Sequence, residues 1–507
     1  MHQYIRHFPS LENQTATIKG WVANSRDSKG LVFLVMRDGS GFAQCVVSEE
    51  TVGEEQFALA KSLTQESAVA LTGTVLKDER QMGGYELQVT HLEVYSIPAE
   101  EYPITPKEHG VEFLAKKRHL WLRSRRQWAI MRVRNEIIMG IHAFFQEKGF
   151  VQMDAPILTG NACEGTSELF ATDFYGDPAY LSQSGQLYGE AMAMAQGLIY
   201  TFGPTFRAEK SVTRRHLSEF WMIEPEMAFY DLEMNMALIE DFIRSVVMRV
   251  LDRCKQELEA LDRDTTMLEK VARPFPRITH AEAVKILRGE VAVNGRTALE
   301  MLDAEIARCE ARIEACNADI AQREIVVKDT NEKKGVRNFN QAQIDKLKQE
   351  IADLEEQLRN LPKWRESAAN FPDDGDFGNS DETVLTRMFD APVMVYNWPT
   401  KIKAFYMKEV EGDPEHVKGV DVLAPEGFGE IVGGSERETD LGILTRKIEE
   451  HKLPMEAFEW YIDLRRFGSV PHAGFGLGLE RFVAWMCNIQ HIREAIPFQR
   501  RYGWLFP

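Results

Sequence analysis

Residues 206–220 read FRAEKSVTRRHLSEF, and six of the fifteen side chains are charged: Arg207, Glu209, Lys210, Arg214, Arg215 and Glu219. His216 adds a seventh charge when protonated. The run lies between the apolar GLIYTFGPT (197–205) and the mostly apolar WMIEPEMAF (221–229), which both read as buried strands. A charged loop between two such strands makes sense where the face of a sheet holds a polyphosphate. An unpaired buried guanidinium is expensive, so Arg207 needs an anion or an acid. Glu209 would meet that need but leaves Arg215, His216 and Phe220 unexplained. A nucleotide accounts for all of them, with Arg207 on the α-phosphate, Arg215 and His216 on the outer phosphates, and Phe220 stacked on the base.

A second stretch supports this reading. GFGLGLERF (474–482) has its glycines spaced GxGxG, and no acidic ribose-binding residue follows at the interval of a dinucleotide fold. Read as a strand running into a helix, it lets a flat ligand lie on the glycines, Gly478 among them. Arg481 then stands at the mouth of the site, its planar fork facing phosphate.

The totals set bounds. A chain of 507 residues exceeds a single core, so about two to four domains are expected. Apolar content of 44% and charged content of 27% are ordinary for a globular protein. No apolar run is long enough for a membrane span, and the start, MHQYIRHFPSLENQ, has no apolar signal segment; a cytoplasmic location is expected. The six cysteines form no CxxC pair, which argues against a disulfide framework or a structural zinc site. A net charge of −18 argues against indiscriminate nucleic-acid binding but says nothing about a local basic surface. Residues 116–134, KKRHLWLRSRRQWAIMRVR, contain no acid and read either as a solvated helix face or as a phosphate-tracking patch.

Residues 1–98 alternate apolar and polar side chains in short runs separated by turn residues, the pattern of a small barrel. The three prolines of IPAEEYPITPKEHG mark a linker, assigned to 99–127. A helical pattern follows over 128–148, then the Pro-interrupted strand FVQMDAPILT. Mixed strands and helices occupy 128–295 and resume over 371–507. Between them, apolar residues at steps of three and four over 299–320 and 344–361 read as the two arms of an antiparallel helical hairpin, an insertion spanning 296–370.

These residues resemble those of the class II aminoacyl-tRNA synthetases. FRAE…RRHLSEF is similar to motif 2, GFGLGLER to motif 3, and the helix before MDAPILT to motif 1, whose Pro156 region implies a homodimer. WVANSRDSKGLVFLVMRDGSGFAQCVV (21–47) resembles the anticodon-binding barrel of the aspartyl/asparaginyl/lysyl subgroup. The implied fold is α+β: an N-terminal OB-type β-barrel and a catalytic domain built on an antiparallel sheet, with the inserted hairpin. The implied chemistry is ATP-dependent amino-acid activation and transfer to tRNA. It assigns catalysis to Arg207, Glu209 and Arg481, Mg²⁺ to Asp421 and Glu430, nucleotide contacts also to Glu430, and anticodon contacts to Arg26, Phe33 and Gln44.

Within the subgroup the resemblance places Glu164 of NACEGTSELF on the substrate's α-amino group, near Ser182, Ser184 and Gln186 of LSQSGQLYGEA. Arg437, seven residues after Glu430, stands where the side-chain carbonyl is gripped, which disfavours lysine. Gly189 occupies the position of a lysine that neutralises aspartate in aspartyl enzymes, and Glu224 replaces a shorter acid and is expected to accept from a carboxamide. The expectation is therefore asparagine and tRNA(Asn) as substrates with ATP. The alternatives are an aspartyl enzyme, discriminating or not, an asparagine-synthetase-like paralogue, and a non-catalytic binding module.

Overall fold

The computed structural model describes residues 2–105, 107, 109–160, 169–211 and 213–507. Two compact units meet in sequence at Trp128/Ala129. In the first, strands β1 (Thr15–Ser28), β2 (Leu31–Arg37), β3 (Phe42–Ser48), β4 (Ala68–Lys77) and β5 (Tyr85–Ser96) close a barrel in the order β1-β2-β3-β5-β4. The alternation read from the sequence fills its interior: Val32, Leu34 and Met36 are fully buried on β2 and Cys45 and Val47 on β3, while the residues between them face outward. A helix over Glu49–Ser62, not anticipated from the sequence, packs Phe57 and Ala60 into this core.

Residues 99–134 carry local structure that the sequence did not specify. The segment assigned as linker holds short helices at Val111–Lys116 and Arg118–Trp121, with the Tyr102 hydroxyl donating to the Leu120 carbonyl at 2.9 Å. The acid-free run is not one basic patch. Arg118 is buried against Gln127 and Trp121, and Arg123 pairs with Glu66. Arg132 pairs with Glu257 and Arg134 with Glu480. Distant acids absorb these cations, a possibility invisible in the run itself.

The second unit is built on one large sheet. Strands β6 (Val151–Gln152), β7 (Leu158–Thr159), β8 (Ala171–Phe174) and β9 (Asp177–Leu181) come first, with β7, β8 and β9 forming a small separate sheet. The large sheet then takes β10 (Leu198–Phe206), β11 (Glu219–Ala228), β12 (Arg277–Thr279), β13 (Val393–Pro399), β14 (Glu409–Val410), β15 (Asp413–Ala424), β16 (Gly429–Glu436) and β17 (His472–Gly478). Its order is β12-β13-β15-β16-β17-β11-β10-β6, with β14 on β15. Pairing is antiparallel except at β10–β6 and β12–β13.

Pleating sorts the side chains of its central strands. Ile223 and Met227 of β11 and Phe475 and Leu477 of β17 enter one core with the helices Arg125–Glu147, Leu232–Arg253 and Leu479–Cys487. The Asp231 carboxylate starts the second of these helices by accepting from Met234 N at 2.8 Å. Glu224, Glu226 and the glycines of β17 are left on the opposite face.

The hairpin forms as read. Its first arm is Ala298–Lys328, opened by a Thr297/Glu300 capping box, and its second is Lys334–Ala369. Leu302, Cys309, Cys316, Ile320, Ile344 and Leu361 are buried along the seam. Its root is not a detached embellishment, however: Leu302, Cys309 and Leu361 share a core with Phe377, Trp398 and Tyr461 of the catalytic unit.

Candidate active site

The charged loop lies between β10 and β11, in a register that pairs Phe206 with Glu219 and Thr205 with Phe220. This hairpin of strands brings Arg207, Glu209, Arg215, His216 and Phe220 to one cleft, whose far wall supplies Glu430, Gly478 and Arg481. The Arg207 guanidinium lies 5.4 Å from the Phe220 ring centre, and Glu209 is exposed at the mouth. Arg481 donates to the Glu430 carboxylate at 3.0 Å and to its carbonyl at 3.1 Å.

Two residues of the loop differ from their expected state. Arg215 lines the cleft, but its guanidinium donates to Thr383 at 3.0 Å, to Glu382 at 3.3 Å and to the Gly427 carbonyl. The His216 imidazole is pushed below its ordinary range by burial and the nearby Arg481.

The glycines of β17 earn their place by what surrounds them. A Cβ on Gly474 would strike the Glu226 carboxylate, and one on Gly476 would lie 2.6 Å from Met222 Cε. Gly478 has open space above it, as expected of a surface on which a flat ligand lies.

Beside the cleft, Asp421 on β15 and Glu430 on β16 converge. Asp421 Oδ1 and Glu430 Oε1 lie 3.5 and 3.1 Å from where a Cβ on Gly433 would stand. Lys403 holds the other Asp421 oxygen at 2.6 Å, with its Nζ 3.7 Å from the centre of the Trp398 ring. Burial and the charge of Glu430 push Asp421 up to about 6, against Lys403. Burial works against ionised Glu430 too, but Arg481 and Lys403 hold it below the usual carboxylate range. Glu382, which no local sequence pattern marked, accepts from Glu430 N at 3.1 Å and is pushed up to about 7 by burial and Glu430. Two oxygens converging over a glycine suit a hard divalent cation that shares phosphate ligands. Among the described residues no group of three or more side chains could hold a metal without such help.

A buried polar pocket adjoins the nucleotide cleft. Ser182 donates to the Ser184 carbonyl at 2.8 Å and Gln186 to Glu190 at 3.1 Å. Glu224 accepts from Ser184 Oγ, from Gly185 N at 2.8 Å and from Thr201 at 3.4 Å. It therefore anchors the Ser182–Gln186 segment, and any carboxamide must share it with these three donors. The acid that meets Arg437 is Glu226, two residues along on the same face of β11. Arg437 reaches both Glu226 oxygens, donates to Ser435 Oγ at 2.7 Å, and lies 5.3 Å from the Tyr406 ring centre. The sequence held this signal, since WMIEPEM places two acids at a period of two.

Glu190 forms the hub behind the pair, fully buried and bonded to Arg465 at 2.9 Å, His472 at 3.0 Å and the Tyr461 hydroxyl. Burial alone would neutralise it, but Arg465, His472 and Arg437 keep its pKa below the ordinary value. Glu226 moves the other way, up to about 8, because burial and the neighbouring Glu190 outweigh Arg437. Glu164 lies outside the described residues.

Comparison with known proteins gives the family. A family profile described as tRNA synthetases class II (D, K and N) matches residues 110–501, and one described as an OB-fold nucleic acid binding domain matches 16–95. The chain is 48% identical over 504 residues to an asparagine–tRNA ligase from Symbiobacterium thermophilum, covering 99% of each. It is 47% identical to one from Sorangium cellulosum, covering 97% of this chain and 96% of that protein. The crystal structure of the Pyrococcus horikoshii asparaginyl-tRNA synthetase complexed with asparaginyl-adenylate superposes with a TM-score of 0.79 at 36% identity, covering all of both chains. The chain belongs to the class II aminoacyl-tRNA synthetases of the D, K and N group.

Proposed function

We infer that the chain is an asparagine–tRNA ligase: it activates asparagine with ATP and transfers it to tRNA(Asn). In the first step an oxygen of the asparagine carboxylate bonds to the α-phosphorus, and the bond to the bridging oxygen of pyrophosphate breaks. In the second, the terminal ribose hydroxyl of tRNA attacks the acyl carbon, and AMP leaves. Charge builds on the α-phosphate oxygens, and Arg207 faces that charge from the end of β10. Arg481 and Arg215 serve the outer phosphates, the latter after exchanging its contacts with Glu382 and Gly427 for phosphate. Asp421 and Glu430 would hold Mg²⁺, which when bound neutralises phosphate charge, while Lys403 fixes the orientation of Asp421. The rest of the acceleration is positioning of two anionic reactants.

The observation that carries asparagine over aspartate is the Arg437–Glu226 fork beside Gly189. Among the described residues Arg437 already meets Glu226, and Arg465 behind it meets Glu190. A neutral carboxamide adds no charge, whereas a substrate carboxylate would add one beside Glu190, Glu224 and Glu226, with both arginines already engaged. Relatives named asparagine–tRNA ligase along their whole length support the same choice.

Arg26, Phe33 and Gln44 are assigned to the anticodon. Arg26 and Phe33 are cross-strand partners, with the guanidinium 4.7 Å from the ring centre, and Gln44 pairs with Val35 on the same outward face. A homodimer is supported by Met139, Val151, Ile157 and Leu158, each more than two-fifths exposed along the motif 1 helix and the strands after it; sedimentation at the mass of one chain would refute it. No helix among the described residues is long and apolar enough to cross a membrane. Pyrophosphate exchange into ATP, measured with asparagine, aspartate and lysine in parallel, tests the assignment. Exchange should depend on asparagine, and equal exchange with aspartate would overturn the specificity.

A further inference from the structure

The hairpin is electrically polarised along its length. Its root, residues 298–320 and 350–369, carries eleven acidic side chains against five basic ones, whereas residues 321–349 carry seven basic against four acidic. The twelve residues 333–344, KKGVRNFNQAQI, contain no acid at all. They also break the apolar economy of the rest of the hairpin: Phe339 is 60% exposed, Val336 39% and, across the turn, Ile325 72%. None of these three belongs to the seam, and Lys333 and Lys334 are exposed beside them. An exposed aromatic ring among lysines and amides, in a chain of net charge −18, has the chemistry of a nucleic-acid contact, with cations for the backbone and a ring for an unstacked base.

The placement of the root points the same way. Arg214 of the cleft loop pairs with Glu356 of the second arm at 3.2 Å. A groove lined by Arg214, Gln357, Trp364, Arg387 and Gln490 runs between them. The chamber next to it shares Arg215 and Arg481 with the nucleotide cleft. The hairpin thus rises from the rim of the cleft where, on the function proposed above, the acceptor end of tRNA must deliver its ribose. Lys334 stands about 40 Å along the second arm from Leu361, at 1.5 Å per residue, which is the scale of an RNA arm.

We propose that the hairpin tip, centred on Lys333, Lys334 and Phe339, is a tRNA-binding surface that holds the body of the RNA while its end occupies the cleft. The test uses the full chain carrying Lys333→Glu with Lys334→Glu, and separately Phe339→Ala. The acids sit at the first turn of the second arm, where the helix dipole favours them, so the charge reversal does not weaken the helix. KM for tRNA in charging should rise about tenfold for the charge reversal and about fivefold for Phe339→Ala at low salt. The slope of log affinity against log salt should fall by about one to two for the charge reversal. Exchange with ATP and asparagine should keep its wild-type constants. A gel shift with unfractionated tRNA should show the same weakening. Unchanged tRNA affinity and salt slope would overturn the proposal, as would a loss of self-association in the variants, which would give the tip to a second copy of the chain. Absence of asparagine-dependent exchange in the wild type would instead refute the functional reading, and the gel shift would still decide the tip.

Discussion

A single hydrogen atom at position 189 leaves Glu226 the room to meet Arg437. Gly189 lies on the helix Gln186–Gln196, and a Cβ there would come within 3.1 Å of Glu226 Cγ. Glu226 has nowhere to go, since Arg437 holds both its oxygens and Gly474 already leaves it only the room of a missing side chain. Gly189→Ala should therefore displace the fork that orients the substrate side chain and raise KM for asparagine by about tenfold, consistent with ~1–3 kcal/mol for overpacking. KM for ATP should stay near wild type, because Arg207 lies in the loop after β10 and Arg481 on the helix Leu479–Cys487. If steady-state exchange showed both constants unchanged, Gly189 would have no part in the pocket. At this scale the sequence was legible where chemistry clusters locally: the loop 206–220 announced Arg207, Arg215 and His216 together. It was silent on Glu382 and Glu190, whose significance comes from partners far along the chain. It singled out Glu224 of WMIEPEM and gave no role to Glu226, the acid that meets Arg437, although period two puts both on the same face.

Among elements, the hairpin shows how periodicity reveals an arm but not its footing. Steps of three and four located both helices, since the seam depends only on neighbours within a few turns. Whether the seam ends in solvent or in another core depends on residues such as Phe377 and Trp398, which no heptad records. Removing 298–362 would take Ala298, Leu302, Cys309 and Leu361, all at most 1% exposed, out of the core they share with those aromatics. Each large-to-small loss of this kind costs about 2–5 kcal/mol, so that deletion should fail to give a stable protein. Replacing only 321–349 with a short Gly/Ser turn removes none of those contacts. Such a truncation should retain exchange within about twofold and a melting temperature within a few degrees. Thermal unfolding that collapsed with the short truncation would mean that the distal seam supports the root.

For the whole molecule, the division at Trp128/Ala129 separates the barrel from the unit to which the ATP chemistry is assigned. That separation predicts a variant that loses one activity and keeps the other. Phe33 is not a core residue: its neighbours Val32 and Leu34 fill the barrel, and Phe33 lies on the outward face beneath Arg26. Truncating it leaves no internal cavity, so the fold should survive. Stacking on an anticodon base contributes about 1–3 kcal/mol, and Phe33→Ala should accordingly lower kcat/KM for tRNA in charging by about tenfold or more. Asparagine-dependent pyrophosphate exchange, which needs no tRNA, should proceed at the wild-type rate. A matching fall in both assays would mean that the substitution had damaged the protein as a whole. Loss of charging alone, with the barrel melting normally, would support a contact between Phe33 and an anticodon base.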